Sequence, residues 1–118
     1  MKIKYNDILN ADEPLSLIAK EKVTIKEAVG ISRIIKALRG EFEIYQDHRR
    51  ELLDKYGELV EDGKFKFNSD EDALSFNMEF TELLNYEVEL DIEPVKLTSD
   101  IQINAETYMA VEKFIDIE

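Results

Sequence analysis

The side chains that most often carry catalysis are scarce in this chain. There is a single histidine and no cysteine among 118 residues. Thiolate metal sites, cysteine nucleophiles and disulfides are therefore excluded. His48 stands in Asp47-His48-Arg49-Arg50. It admits two readings. One is a general base oriented by Asp47, or an anion site shared with the two arginines. The other, preferred, is a solvated helix face laced with intrahelical pairs. The acidic run Asp70-Glu71-Asp72 offers oxygen ligands for a hard cation, but it lacks the glycine and distal glutamate of a calcium loop. Helix capping by Ser69 and its acids explains it more simply. No glycine-rich phosphate loop, nucleophile elbow or H-E-x-x-H helix occurs, so neither a cofactor nor a metal is expected.

A third constellation is a row of carboxylates. Glu87, Glu89, Asp91 and Glu93 alternate with Val88, Leu90 and Ile92. Period-two alternation marks a half-buried strand, which sets the acids on one face, ~6.7 Å apart. That face is either the plain solvent side of a sheet or a row that meets a partner's basic groove. Charge distribution bears on the choice. Residues 1–57 hold 11 Lys/Arg and 10 Asp/Glu, whereas residues 58–118 hold 4 and 17. Nearly the whole net charge of −12 belongs to the second half. Such a surface disfavours direct binding to a nucleic-acid backbone and suits a protein with a basic face. A basic tint on Lys22, Lys26, Arg33, Lys36 and Arg39 reads as a solvated face or as a complement to the acidic half.

These groups need elements to position them. The length fits one domain spanning 1–118, and a content of 44% apolar residues supports a core. Apolar stretches are too short to span a bilayer, and the basic N-terminus has no apolar segment behind it, so neither a membrane helix nor a signal peptide is expected. A first helix is predicted from Asn6, its cap, to about Lys20, with Pro14 as a kink or restart. A second runs from Ile25 to Tyr56. Thr24-Ile25-Lys26-Glu27 opens it as a capping box, and Gly57 closes it at C′. Along it Ile31, Ile35, Leu38, Phe42 and Tyr45 recur at alternating steps of four and three. That is the seam of a helix lying lengthwise on another, or on a second copy. At ~48 Å it must project, bend or pair, with Gly40 as the bend. Gly30, Ala37 and Gly40 form a small-residue stripe open to close approach.

Beyond Gly57, Glu58–Glu61 and Lys64–Phe67 flank Asp62-Gly63, a β-hairpin with a type I′ turn. A helix capped by Ser69 follows, with Ala73, Phe76, Phe80, Leu83 and Leu84 inward. Then come the acidic strand, an extended segment Val95–Leu97, and a last helix capped by Asn104 with Tyr108, Val111, Phe114 and Ile115 inward. The fold class is α+β and helix-dominated: an antiparallel helix pair with a long second helix, a β-hairpin and a small antiparallel sheet.

Three segments carry a family resemblance: Met1-Lys2-Ile3-Lys4-Tyr5-Asn6-Asp7-Ile8-Leu9-Asn10-Ala11; Ile31 to Gly57 with its Glu51-Leu52-Leu53-Asp54-Lys55-Tyr56-Gly57 ending; and Asn77 to Leu84 running on into Glu87–Ile92. Together they resemble a family of small uncharacterised proteins encoded by tailed phages and prophages of Gram-positive bacteria. The resemblance implies a setting, the cytoplasm of a host cell, and no activity or site residues. The expectation is a non-catalytic interaction protein that binds a host or phage protein through its acidic half, centred on Glu87, Glu89, Asp91 and Glu93. The alternatives are an assembly component of a phage particle, self-associating through the seam Ile31, Ile35, Leu38, Phe42 and Tyr45, and a small-ligand-binding protein.

Overall fold

The computed structural model describes residues 1–117. Along the chain run β1 (Lys2–Lys4), α1 (Tyr5–Ala19), α2 (Ile25–Tyr56), β2 (Gly57–Leu59), β3 (Phe65–Phe67), α3 (Asp70–Asn85), β4 (Glu87–Glu89), β5 (Val95–Leu97), α4 (Ala105–Val111) and β6 (Ile115–Ile117). The class is the helix-dominated α+β arrangement, with α1 and α2 as the antiparallel pair joined by residues 20–24.

The core forms around α1. Its Ala11, Leu15 and Ile18 are fully buried, with Tyr5 and Ile8 nearly so. From α2, Ile31, Ile34, Ile35, Leu38 and Tyr45 face them, and Leu97, Val111, Phe114 and Ile115 close the other side. Fully burying a side chain of this size contributes roughly 1.5–3 kcal/mol, so this cluster is the main favourable term. The predicted seam is therefore occupied within one chain: four of its five residues are buried and Phe42 is half-buried.

α2 is the predicted helix to the residue, and its capping box forms: Glu27 N donates to Thr24 Oγ1 at 3.2 Å and Thr24 N to Glu27 Oε1 at 2.8 Å. It runs unbroken through Gly40. Length is accommodated by elongation. The molecule measures 52 × 30 × 22 Å, with a radius of gyration of 17.5 Å. A compact chain of this size would give about 13–14 Å.

Beyond the reach of α1, the distal half of α2 is covered by α3 and the hairpin. Ring contacts link the parts: Phe65–Phe67 (5.0 Å between centroids), Phe67–Phe76 (5.3 Å), Phe76–Phe80 (5.4 Å, stacked), Phe80–Tyr45 (6.4 Å) and Tyr45–Tyr5 (5.7 Å). Such pairs contribute about 0.5–1.5 kcal/mol each beyond area burial.

Several expectations need correction. α1 starts at Tyr5 with Lys4 as the cap, so Asn6 lies inside it, and Pro14 neither breaks nor restarts it. Burial of Ala11, Leu15 and Ile18 on both sides of the proline offsets its missing N–H. The hairpin connection spans three residues, Glu61–Gly63, not two, because Val60 N donates to the Lys64 carbonyl at 2.8 Å. Leu59 pairs with Phe65 and Glu58 with Lys66. A two-residue loop would have set Glu58 opposite Phe67, whereas the observed register sets opposite charges face to face. Asp62 and Gly63 do take the positive φ expected of Asp-Gly, at 69° and 70°. Gly57 is not a left-handed cap; it is extended and opens β2. β5 and β6 pair in parallel, so of three two-stranded sheets only β1–β4 and β2–β3 are antiparallel. α4 ends at Val111; Phe114 and Ile115 are buried from the turn and from β6, while Tyr108 is exposed.

Two glycines, one inside α2 and one just past its end, behave oppositely. A Cβ on Gly57 would lie 2.3 Å from Phe65 Cζ and 2.5 Å from the Lys66 carbonyl oxygen; one on Gly40 would meet nothing within 4 Å. Gly40→Ala should therefore stabilise the protein by up to about 1 kcal/mol. Gly57→Ala should destabilise it by about 1–3 kcal/mol through overpacking. Urea unfolding of both variants checks the pair; equal effects would show that the hairpin does not press on the end of α2.

Candidate functional site

The acidic row lies where the alternation placed it. Glu87, Glu89, Asp91 and Glu93 are exposed, and Val88, Leu90 and Ile92 between them are half-buried. Only its first half is in a ladder. β4 pairs antiparallel with β1, setting Glu89 opposite Lys2, Val88 opposite Ile3 and Glu87 opposite Lys4. Directly opposed residues share a face, so Glu87 and Glu89 look at lysines while Ile3, 1% exposed, goes into the core. The Met1 ammonium adds to this end: it lies 3.1 Å from Glu89 Oε1 and donates to the Leu90 carbonyl at 2.7 Å. Asp91 and Glu93 continue past the ladder. The row is thus graded from a locally neutralised end to an open anionic end.

The pairing was legible in outline. Lys2-Ile3-Lys4 and Glu87-Val88-Glu89 are alternating segments of opposite charge, which is the signal that would have found β1. The sequence reading left residues 2–4 unassigned.

The acidic surplus of the second half is not absorbed internally. Of sixteen carboxylates at positions 58–117, two, Glu79 and Glu89, lie within 4 Å of a cation among the described residues. Fourteen of the sixteen residues are exposed, the exceptions being Asp72 and Glu79. Nor does the basic group at the front of the long helix provide the complement: Arg39 bonds Asp12 of α1 at 3.1 Å, while Lys22, Lys26, Arg33 and Lys36 are exposed with no carboxylate within 4 Å among the described residues. The small-residue stripe splits as well. Gly30 faces Val95 of β5, whose Cγ2 would sit 2.8 Å from an added Cβ, and Gly40 faces open space.

The other constellations fall apart or reduce to local structure. His48 Nδ1 lies 3.5 Å from Glu51 Oε2, and Asp47 pairs instead with Arg50 at 3.8 Å. All four side chains are more than half exposed, so His48 is not oriented by Asp47. Ser69 Oγ accepts from Asp72 N at 3.0 Å, leaving Asp70, Glu71 and Asp72 as a capped first turn. Among the described residues no group of three or more His, Cys, Asp or Glu is placed to hold a metal ion. A cleft of about 390 Å³ between α2 and α3 is lined by His48, Glu51, Lys55, Glu79, Glu82 and Tyr86 among others. Across it Lys55 Nζ reaches Glu79 Oε1 at 3.5 Å. The neighbouring Tyr56 hydroxyl and, against the push of burial, Lys55 hold the Glu79 carboxyl below its ordinary range.

Two buried polar groups escaped the sequence reading. Tyr5 donates to Glu41 Oε2 at 3.0 Å, and burial together with that bond raises its phenol to about 12. Among the described residues Glu27 is the only buried charged one, 4% exposed. Besides its capping-box bond it accepts from Thr98 N (2.7 Å), Ser99 N (3.2 Å) and the Ser99 hydroxyl. The Ser99 hydroxyl first, then the Thr24, Thr98 and Ser99 N–H groups, lower its pKa to about 2 from an ordinary 4.5, against the upward push of burial. Every donor favours the charged carboxylate, and the bonds to Thr98 and Ser99 tie the β5–α4 connection to the start of α2. Sequence displays the half of this that lies within 24–27; the half from residues 98–99 has no local signature.

A folded pKa below the unfolded one adds stability that is whole above pH 4.5 and is lost as pH falls through about 2. Glu27→Gln, which turns an amide toward these donors, should lower the Tm at pH 7. Its deficit relative to the parent should shrink between pH 4.5 and 2. Melting curves followed by circular dichroism across that range check this; a deficit independent of pH would mean that the charge of Glu27 is not what holds the segment. Comparison with protein-family models, with curated proteins and with solved structures finds no match for this chain.

Proposed function

We propose that this chain is a non-catalytic interaction protein that binds a protein partner with a basic surface through its acidic half. The observation that carries the proposal is the set of fourteen exposed carboxylates at positions 58–117, of which all but Glu89 lack a cation within 4 Å among the described residues. A cluster of like charges repels itself, and a cationic partner relieves that repulsion while the net charge of −12 speeds its approach. Within the row, the contact falls on Asp91 and Glu93, because Glu87 and Glu89 already face Lys4 and Lys2. The family resemblance supplies the setting, a phage or prophage protein acting in the host cytoplasm on a host or phage factor. Self-assembly would need another surface, since Ile31, Ile35, Leu38 and Tyr45 are buried within the monomer.

The proposal is tested by capture from Gram-positive lysate at low and high salt, with the chain and its Asp91→Lys/Glu93→Lys variant as bait. These positions lie past the ladder, so reversing them leaves the β1–β4 pairing intact. A specific partner should be held at low salt and released at high salt. Its affinity for the variant, measured on the purified pair, should fall about tenfold or more. Retention that ignores both salt and the charge reversal would overturn the electrostatic reading.

A further inference from the structure

The surface across α1 combines an apolar floor with an uncompensated acidic rim. Two grooves flank this helix. One, of about 510 Å³, lies between α1 and α2 and includes Leu9, Phe42, Glu13 and Glu43 in its lining. The other, of about 560 Å³, lies between α1 and α4 and includes Leu9, Glu13, Glu106 and Met109. Leu9 and Glu13 belong to both, so the two grooves adjoin along that edge of α1. Leu9 and Phe42 are half-buried, and Met109 is 69% exposed. Methionine here is apolar and conformationally adaptable, which suits a contact surface.

Apart from Arg39, the charges around this floor are negative. Glu13, Glu43 and Glu106 are exposed and have no cation within 4 Å among the described residues. The one cation in either lining is Arg39, and it is already bonded to Asp12 at 3.1 Å. The α2–α3 cleft is more mixed, with Lys55 and His48 beside Glu51, Glu79 and Glu82, and these two lie within 4 Å of Glu79 and Glu51 respectively. None of the residues Glu87–Glu93 lines the α1 surface.

We propose that this surface docks an amphipathic helix of a partner protein, with an apolar stripe seated over Leu9, Phe42 and Met109 and with lysines or arginines on its flanks meeting Glu13, Glu43 and Glu106. The inference rests on the reading of the chain as a binder of basic partners, and it names a different surface and a partner shape. The match is one of charge and form. A helix ~10–12 Å across presents one apolar row between two polar flanks, as an apolar floor between acidic rims requires. Apolar seating gives the complex affinity, and the flanking charges select cationic helices over acidic ones.

The test uses a helical peptide of about 18 residues built from leucine and lysine at amphipathic spacing. It is titrated into the isotopically labelled full chain by NMR and calorimetry. Shift changes should centre on Leu9, Glu13, Phe42 and Met109. Glu13→Lys/Glu43→Lys should weaken binding about tenfold or more, as should Met109→Ser. Both variants alter exposed side chains, and their melting curves verify folding. A peptide of equal charge with leucine replaced by serine should bind about tenfold more weakly. Shift changes confined to residues 87–93, with the α1-surface variants unaffected, would overturn this inference and leave the proposed function standing. Equal binding of the serine peptide would show that charge alone is read, and would overturn it too. No binding of either peptide at low salt would overturn both.

Discussion

A mismatch of length governs this structure. α2 has 32 residues and α1, its antiparallel partner, has 15. At 1.5 Å per residue, α1 shields about 22 Å of a helix about 48 Å long. The apolar side of α2 continues beyond Tyr45, so something else must cover it. α3 and the hairpin do so, and the run of rings from Phe65 to Tyr45 is the contact they make. The hairpin can fold back there because Gly57 lets Phe65 and Lys66 come against the backbone at the helix end. The 52 Å long axis follows from the same mismatch. A chain of 118 residues cannot wrap a helix of this length evenly, so it covers one end with α1, α4, β5 and β6, and the other with α3 and the hairpin.

At the opposite end of α2 the controlling interaction is polar. A capping box satisfies the first N–H groups of a helix with one hydroxyl and one carboxylate. Here the carboxylate has acceptor capacity left over, and Thr98 and Ser99 use it. One side chain thereby caps the start of a helix and fastens a segment more than seventy residues away. Behind that fastening β5 lies against Gly30, and Leu97, Val111, Phe114 and Ile115 close over α1. The interior accepts this charge because each bond reaching it comes from a donor.

The surface follows a different rule. Internal ion pairs are few and go mostly to carboxylates of the first half, such as Asp7 with Lys113 and Asp12 with Arg39. The acids of the second half are left facing water, as are the cations at the front of α2. Most of these opposite charges are not brought within ion-pair distance of one another, because exposed pairs gain little and packing of the apolar faces decides where the elements lie. A chain folded this way keeps its anionic field available for other molecules.

What could be read from the residues was what depends on neighbours in sequence. The capping box at Thr24 fixed the start of α2, Ser69 and Asn104 announced two further helices, the seam residues marked the buried side, and the alternation from Glu87 to Glu93 marked exposed and half-buried positions. Each is a local pattern with a local cause, a cap or a periodicity. The excess of carboxylates in the second half was likewise plain from a count. Tertiary structure decided the rest. A strand of three residues such as Ile115–Ile117 is too short to be told from the helix before it, and exists only because a partner strand supplies hydrogen bonds. Parallel pairing of β5 with β6, the second role of Glu27, the survival of α1 through Pro14 and the grooves beside Leu9 all arise where distant segments meet. Free energy there comes from contacts between residues far apart in the chain, and no short stretch of sequence contains both sides of such a contact.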